Sequence, residues 1–278
     1  MKANFKIALI AVPFLFIISC SDSNEVKESE NGAQESKLAW DATNYIMYNE
    51  FLQCSAGEGY SQEALDEMVK EWRTLDLPES MLGAWGYSSL NDENKIIINE
   101  WELSWSSQED ADLGWQEWSA NESARAWSEK YAEVLQCDSD NRDGYEFMFP
   151  FDPYAFGPTP DTGSFVATFT PCTLNDGNTN EDLSNEIIKF NNLLGRIDPE
   201  TVSNFYAYGI YFPLDDSVEE DFWYGNFFGT LEALSDIDNA WAQFDEEADN
   251  LNEQISSCGD PVLTNGQVFY DPTNPDFS

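Results

Sequence analysis

NEFLQC, residues 49–54, and ATFTPC, residues 167–172, decide how this chain is read. Both are runs of strand-forming residues that close on a cysteine, with Phe51 and Phe169 at the same place. Cys54 is followed by Cys137 after 83 residues, and Cys172 by Cys258 after 86. Near-equal spacing points to an internal duplication. The match continues in order along the chain: MVKEW (68–72) with IIKFN (187–191), AWGY (84–87) with AYGI (207–210), GWQEW (114–118) with AWAQF (240–244), FDP (151–153) with YDP (270–272). The offset drifts by a few residues, as insertions in loops produce.

Each copy reads as β-α-β-β-α-β. In the first, residues 45–53, 82–90, 95–105 and 145–151 have strand character, and NDEN (91–94) is a turn sequence between the middle two. Leu65, Met68, Val69, Trp72 and Leu75 recur at helical spacing in 62–75, as do Ala126, Trp127, Tyr131, Val134 and Leu135 in 122–135. The second copy has strands at 165–170, 202–212, 221–230 and 267–270, and helices at 181–194 and 237–255. LNDGNTNED (174–182) reads as a turn leading into a helix cap. Repeat 1 is thus placed at 41–153 and repeat 2 at 165–278, with a Pro- and Gly-containing linker at 154–164.

This order is the ferredoxin-like split βαβ plan, an α+β fold. Doubled in one chain, it resembles the dimeric α/β-barrel superfamily, in which two such sheets pack face to face as a pseudo-dimeric barrel. In the plan, strand one and helix two end on the same edge. Cys54 follows strand one and Cys137 follows helix two, and Cys172 and Cys258 occupy the same two places. Four cysteines allow three pairings; the topology selects Cys54–Cys137 and Cys172–Cys258.

The fifth cysteine has a different address. Lys2 and Lys6 precede an apolar run from Ile7 to Ile18, interrupted by Pro13. The run is shorter than the about 20 residues of a spanning helix and fits a cleaved export signal over 1–20. It ends in Ile17-Ile18-Ser19-Cys20, which resembles the bacterial lipobox, so Cys20 is expected to carry lipid. In enterobacterial lipoproteins Asp beside that cysteine retains the protein in the inner membrane; here the neighbour is Ser21, so the resemblance implies the outer membrane, facing the periplasm. Residues 21–40 are polar and acidic and read as a flexible tether.

The formal net charge is −41, and removing residues 1–20 takes away two lysines and no acid. Such a surface repels nucleic acid and anionic head groups, so no nucleic-acid partner is expected and lipid must supply membrane attachment. Aromatic residues make up 15% of the chain, with ten Trp, which excludes global disorder. Histidine is absent. That removes a Ser-His-Asp triad, a Cys-His dyad, a His-ligated haem and the usual zinc site. No cofactor and no metal are called for. CDSDNRDGYEF (137–147) has the spacing of a calcium loop, but Pro150 falls where a bidentate acid is required, and the segment reads as a turn before a strand.

Two packed sheets bury both faces of their strands. Phe51, Phe169, Trp101 and Phe227 agree between copies and are assigned to the helix-packed core. The opposite, inter-sheet face then carries Tyr48, Glu50, Leu52, Glu100 and Glu102, with Thr168 and Asn226 from the second copy. These acids either bind a ligand or are solvated at the sheet edge. In the first case Glu50→Leu should leave the fold as stable or more so while weakening a ligand. The Trp-rich segment 100–118 either stacks on a ligand or packs a core. The leading reading is a lipid-anchored periplasmic protein that binds a small molecule or an envelope protein. An alternative is an enzyme similar to the cofactor-independent monooxygenases or isomerases of the superfamily, which hold an aromatic substrate between sheet and helices. A third is a structural envelope lipoprotein.

Overall fold

The computed structural model describes residues 46–90, 97–159, 163–215, 217–244, 247, 251 and 254–273, all within one unit spanning 36–278. The expected export signal, Cys20, the expected tether and the expected turn at 91–94 lie outside the described residues.

The element order is β1 (Met47–Ala56), α1 (Gln62–Trp72), β2 (Met81–Ser89), β3 (Glu100–Trp105), α2 (Gln108–Ala120), α3 (Glu122–Lys130), β4 (Leu135–Met148), then β5 (Ser164–Leu174), α4 (Asn180–Leu194), β6 (Tyr206–Pro213), β7 (Phe222–Phe228), α5 (Leu231–Trp241), β8 (Ser256–Cys258) and β9 (Val262–Tyr270). This is an α+β fold with antiparallel pairing throughout the described strands. One arc runs β4-β1-β3-β2 and the other β9-β5-β7-β6. The arcs join along β4–β6, where Tyr145 faces Pro213 and Met148 faces Ile210, and along β2–β9, where Ser89 faces Thr264. The sheet therefore closes on itself as a barrel of eight strands, with β8 added at β5. The expected pair of facing sheets is one continuous hydrogen-bonded wall.

Helices cover the outside, each begun by a local device. Ser61 caps α1 by accepting from the Ala64 amide, and Leu65, Met68, Val69 and Trp72 form its buried stripe. Thr179 and Asp182 form a reciprocal capping box at α4, after a turn through Gly177 at φ 90°. The helix expected at 122–135 is α3 and ends earlier, at Lys130, and a further helix, α2, precedes it; the two meet at Asn121, whose side chain accepts from the amides of Ser123 and Ala124. In the second half α5 starts at Leu231, ahead of the expected 237.

Three apolar clusters follow. One lies between the first arc and α1–α3 (Leu65, Trp72, Trp101, Trp105, Trp127) and a second between the other arc and α4–α5 (Leu183, Ile187, Tyr206, Phe222, Ile237). The third lines the barrel interior and is drawn from strands of both arcs (Tyr87, Phe147, Phe169, Ala207, Tyr211, Phe227). Both disulfides pair as expected, Cys54–Cys137 and Cys172–Cys258, each joining residues directly opposite on adjacent strands. The 137–147 segment lies within β4: residues 138–141 bulge between the Cys54–Cys137 and Leu52–Arg142 pairings, and the Asp138 carboxylate accepts from the amides of Asp140 and Asn141.

Candidate functional site

The barrel interior holds a polar cluster in an aromatic setting. On β3, Trp101, Leu103 and Trp105 point to the helices, so the alternate residues Glu102 and Ser104 point inward. Glu102 is 2% exposed. Its Oε1 accepts from Asn49 Nδ2 at 2.6 Å and from the Tyr211 hydroxyl at 3.0 Å, and its Oε2 accepts from the Tyr87 hydroxyl at 2.6 Å. Asn49 is itself oriented, because its Oδ1 accepts from Ser104 Oγ at 2.8 Å. Burial is the largest influence on Glu102 and raises its pKa to about 7 against the lowering effect of its three donors. Burial beside this carboxylate also pushes the Tyr87 and Tyr211 phenols well above their usual range. These five polar residues line a cavity of about 300 Å³ whose other walls include Trp85, Phe147, Phe165 and Phe227. A carboxyl near neutrality in such a place can hold a ligand donor or exchange a proton.

The other expected site residues divide between the faces. Glu100 shares the inward side of β3 but sits lower, partly buried, accepting from Gln53 Nε2 at 3.4 Å; burial and then Asp143 raise its pKa. Tyr48, Glu50 and Leu52 face the helices, contrary to the expected inter-sheet placement, while Phe51, Phe169 and Phe227 fill the barrel instead of the helix-packed core. Thr168 and Asn226 also lie on the helix side: Asn226 Nδ2 donates to Thr168 Oγ1 at 3.4 Å and Tyr206 donates to Asn226 Oδ1 at 3.1 Å. The reason is the period of two in a strand. One residue of parity inverts a whole face. Of the expected residues, Trp101 does lie in the helix-packed core and Glu102 does lie inside the barrel.

Glu50 is 0% exposed but fully engaged. Oε1 accepts from the indoles of Trp105 (2.9 Å) and Trp115 (2.5 Å), and Oε2 accepts from Arg142 Nε at 2.8 Å. The Arg142 guanidinium lies 4.6 Å from the centre of the Trp115 ring. Desolvation raises the Glu50 pKa against these partners, and the same burial, with Glu50 next, lifts the Tyr48 phenol to about 12. The expectation that Glu50→Leu would be harmless is therefore overturned: leucine would strand a cation and two indole donors.

Between the first arc and α1–α3 is a second cavity of about 390 Å³, walled in part by the Trp105 and Trp115 that hold Glu50. Trp72, Trp101, Trp105, Trp115, Trp118 and Trp127 line it. The Trp101 Nε1 is buried without a hydrogen-bond partner. The Trp-rich segment thus both packs a core and walls a hollow. Asn49, Tyr87, Ser104 and Tyr211 were not singled out in the sequence; the cross-strand pairing that brings them to Glu102 carries no local signature.

No family model matches the chain, and no curated protein matches it. Several solved structures align with most of the chain. A chlorite dismutase variant from Candidatus Nitrospira defluvii is 10% identical, with a TM-score of 0.44 over 80% of this chain and 92% of that one. An anthrone oxidase-like protein is 13% identical, at 0.47 over 82% and 92%. A proposed monooxygenase from Lactobacillus acidophilus is 10% identical, at 0.46 over 81% and 95%.

Proposed function

We propose that this chain is a lipid-anchored protein of the bacterial envelope that holds a small ligand inside its barrel, against Glu102. The observation that carries the reading is the cavity of about 300 Å³ in which a buried carboxylate, two phenols and an amide converge among aromatic walls. A purely structural interior would replace such a carboxylate with an apolar residue, because burying it is costly. Supporting the envelope address are Ile17-Ile18-Ser19-Cys20 and the tether at 21–40. We read 41–153 and 165–278 as two copies of one βαββαβ unit joined by 154–164, forming a pseudo-dimeric α/β barrel; the identical strand order of the arcs and the matched disulfides support it. An outer-membrane position facing the periplasm rests on Ser21 after the lipidated cysteine.

The test is a panel of small aromatic and alicyclic compounds assayed by thermal shift. A true ligand at about one hundred times its Kd adds about 2.7 kcal/mol to stability. Hits that lose their effect in Ser104→Trp, which fills the cavity, support the reading; a panel with no hits, or hits indifferent to that change, overturns it. Cys20→Ser tests the anchor separately: the variant should leave the membrane fraction, and a processed variant that stays there contradicts lipidation.

The Trp-lined cavity favours a second reading, an enzyme of the cofactor-independent monooxygenase or isomerase kind acting on an aromatic substrate between sheet and helices. Hits that respond to Trp118→Ala and not to Ser104→Trp would favour it.

A further inference from the structure

Glu102 differs from the other buried acid of the first half in one respect. Glu50 has its counter-charge in Arg142, whereas none of the four ion pairs among the described residues includes Glu102. Its three partners are a carboxamide and two phenols. All three donate, an arrangement suited to the ionised, acceptor-only carboxylate. A carboxylate offers about four lone-pair positions; Oε1 uses two and Oε2 uses one, so a position on Oε2 is open to one further donor.

The surroundings select the charge of that donor. No Lys or Arg is among the described residues that line the cavity, while Asp271 is. Glu100 and Asp143 lie further along the same barrel, and the chain as a whole carries −41. An anionic ligand would meet this field without a counter-ion. A neutral donor could bond Oε2 but would leave the buried charge uncompensated. An ammonium supplies both the hydrogen bond and the charge, and ring faces such as those of Trp85, Phe147, Phe165 and Phe227 favour a cation as well as an apolar body. The volume admits a small molecule of about the lower size range for ligand sites.

We infer that the barrel interior is a site for a small organic cation, a primary ammonium on an aromatic or aliphatic body, with the ammonium bonded to Glu102 Oε2. This rests on the ligand-holding reading and adds the chemical class. Asn49, Tyr211 and Tyr87 act as positioning residues that fix the carboxylate in one orientation, so that little is lost in ordering it when the ligand arrives.

The experiment is calorimetric titration of the full chain in neutral detergent with three isosteric probes: phenethylammonium, 2-phenylethanol and phenylacetate. It is done at about pH 8 and about 0.15 M salt, where the field of the surface acids is screened beyond about 8 Å. Phenethylammonium should bind about tenfold tighter than the alcohol or better, and phenylacetate should bind least. Glu102→Gln should bring the ammonium down to the level of the alcohol and leave the alcohol within about twofold. Tyr87→Phe, which frees Oε2, should keep the preference for the ammonium, and it decides the matter if Glu102→Gln does not fold. Equal binding of ammonium and alcohol, or a preference that survives Glu102→Gln, overturns the inference while leaving a ligand-holding barrel intact. Failure of all three probes to bind, together with an empty thermal-shift panel, overturns both.

Discussion

Tyr211 on β6 donates its hydroxyl to Glu102 on β3 across the barrel, 3.0 Å away in space and 109 residues away in sequence. The bond ties the second arc to the first from inside the barrel, between two strands that are not neighbours in the sheet. Its strength depends on the charge of Glu102, and so the junction between the halves is coupled to pH.

The pKa of Glu102 is raised from 4.5 to about 7 by burial. The folded state thus prefers the protonated acid. Its contribution to stability is full below the unfolded value of about 4.5 and is lost as pH rises through about 7. A shift of this size corresponds to on the order of 3 kcal/mol between the limits. Urea midpoints taken from about pH 4.5 to about pH 8 should fall more steeply for the wild type than for Glu102→Gln. Parallel profiles would show that Glu102 titrates in its ordinary range.

Glu50 should behave as a structural acid. Glu50→Gln is expected to cost about 2–3 kcal/mol, because Arg142 keeps its charge in a partly buried place without a counter-charge. Combining it with Arg142→Met should recover part of the loss. A double-mutant cycle with no coupling contradicts this account of the pair.

A close approach supports the inner cluster from behind. A Cβ on Gly209 would overlap the Phe147 ring, and that ring in turn packs on Tyr211 with centroids 4.4 Å apart. Gly209→Ala should therefore destabilise by about 1–3 kcal/mol and displace Tyr211 from Glu102. The second effect is read as a fall in the Glu102-dependent part of the pH profile. An unchanged stability would mean that Phe147 moves freely.

The two disulfides close loops of 83 and 86 residues. Replacing either pair with alanines should cost roughly 4–5 kcal/mol by the chain-entropy relation. The two losses should be similar, since the loops are. A much smaller loss at one pair would show that its unfolded chain is already compact.

The order of elements was legible because loops, caps and helical stripes are local. Thr179, Asn180 and Asp182 announce α4 directly, and the cysteine spacing led to the right pairs. The facing of β1 was not legible. Asn49 and Glu50 are both buried, so the strand shows no alternation of apolar and polar residues from which parity could be read. The shared Phe51 and Phe169 suggested the helix side, but a barrel closed by hydrogen bonds has an aromatic interior of its own. The facing of β3 was legible, because Trp101, Leu103 and Trp105 alternate cleanly with Glu102 and Ser104. The helix at 108–120 was hidden for a related reason: α2 buries only Ala111 and Gly114, which leaves little apolar stripe to find.

The most direct measurement is the structure of the full chain soaked with the strongest compound from the thermal-shift panel. The account predicts density inside the barrel within hydrogen-bond distance of Glu102 Oε2, with Asn49, Tyr87 and Tyr211 unmoved. Density confined to the Trp-lined cavity between the first arc and its helices, or a barrel interior closed over by Phe147 and Phe227 with the compound elsewhere, would contradict it.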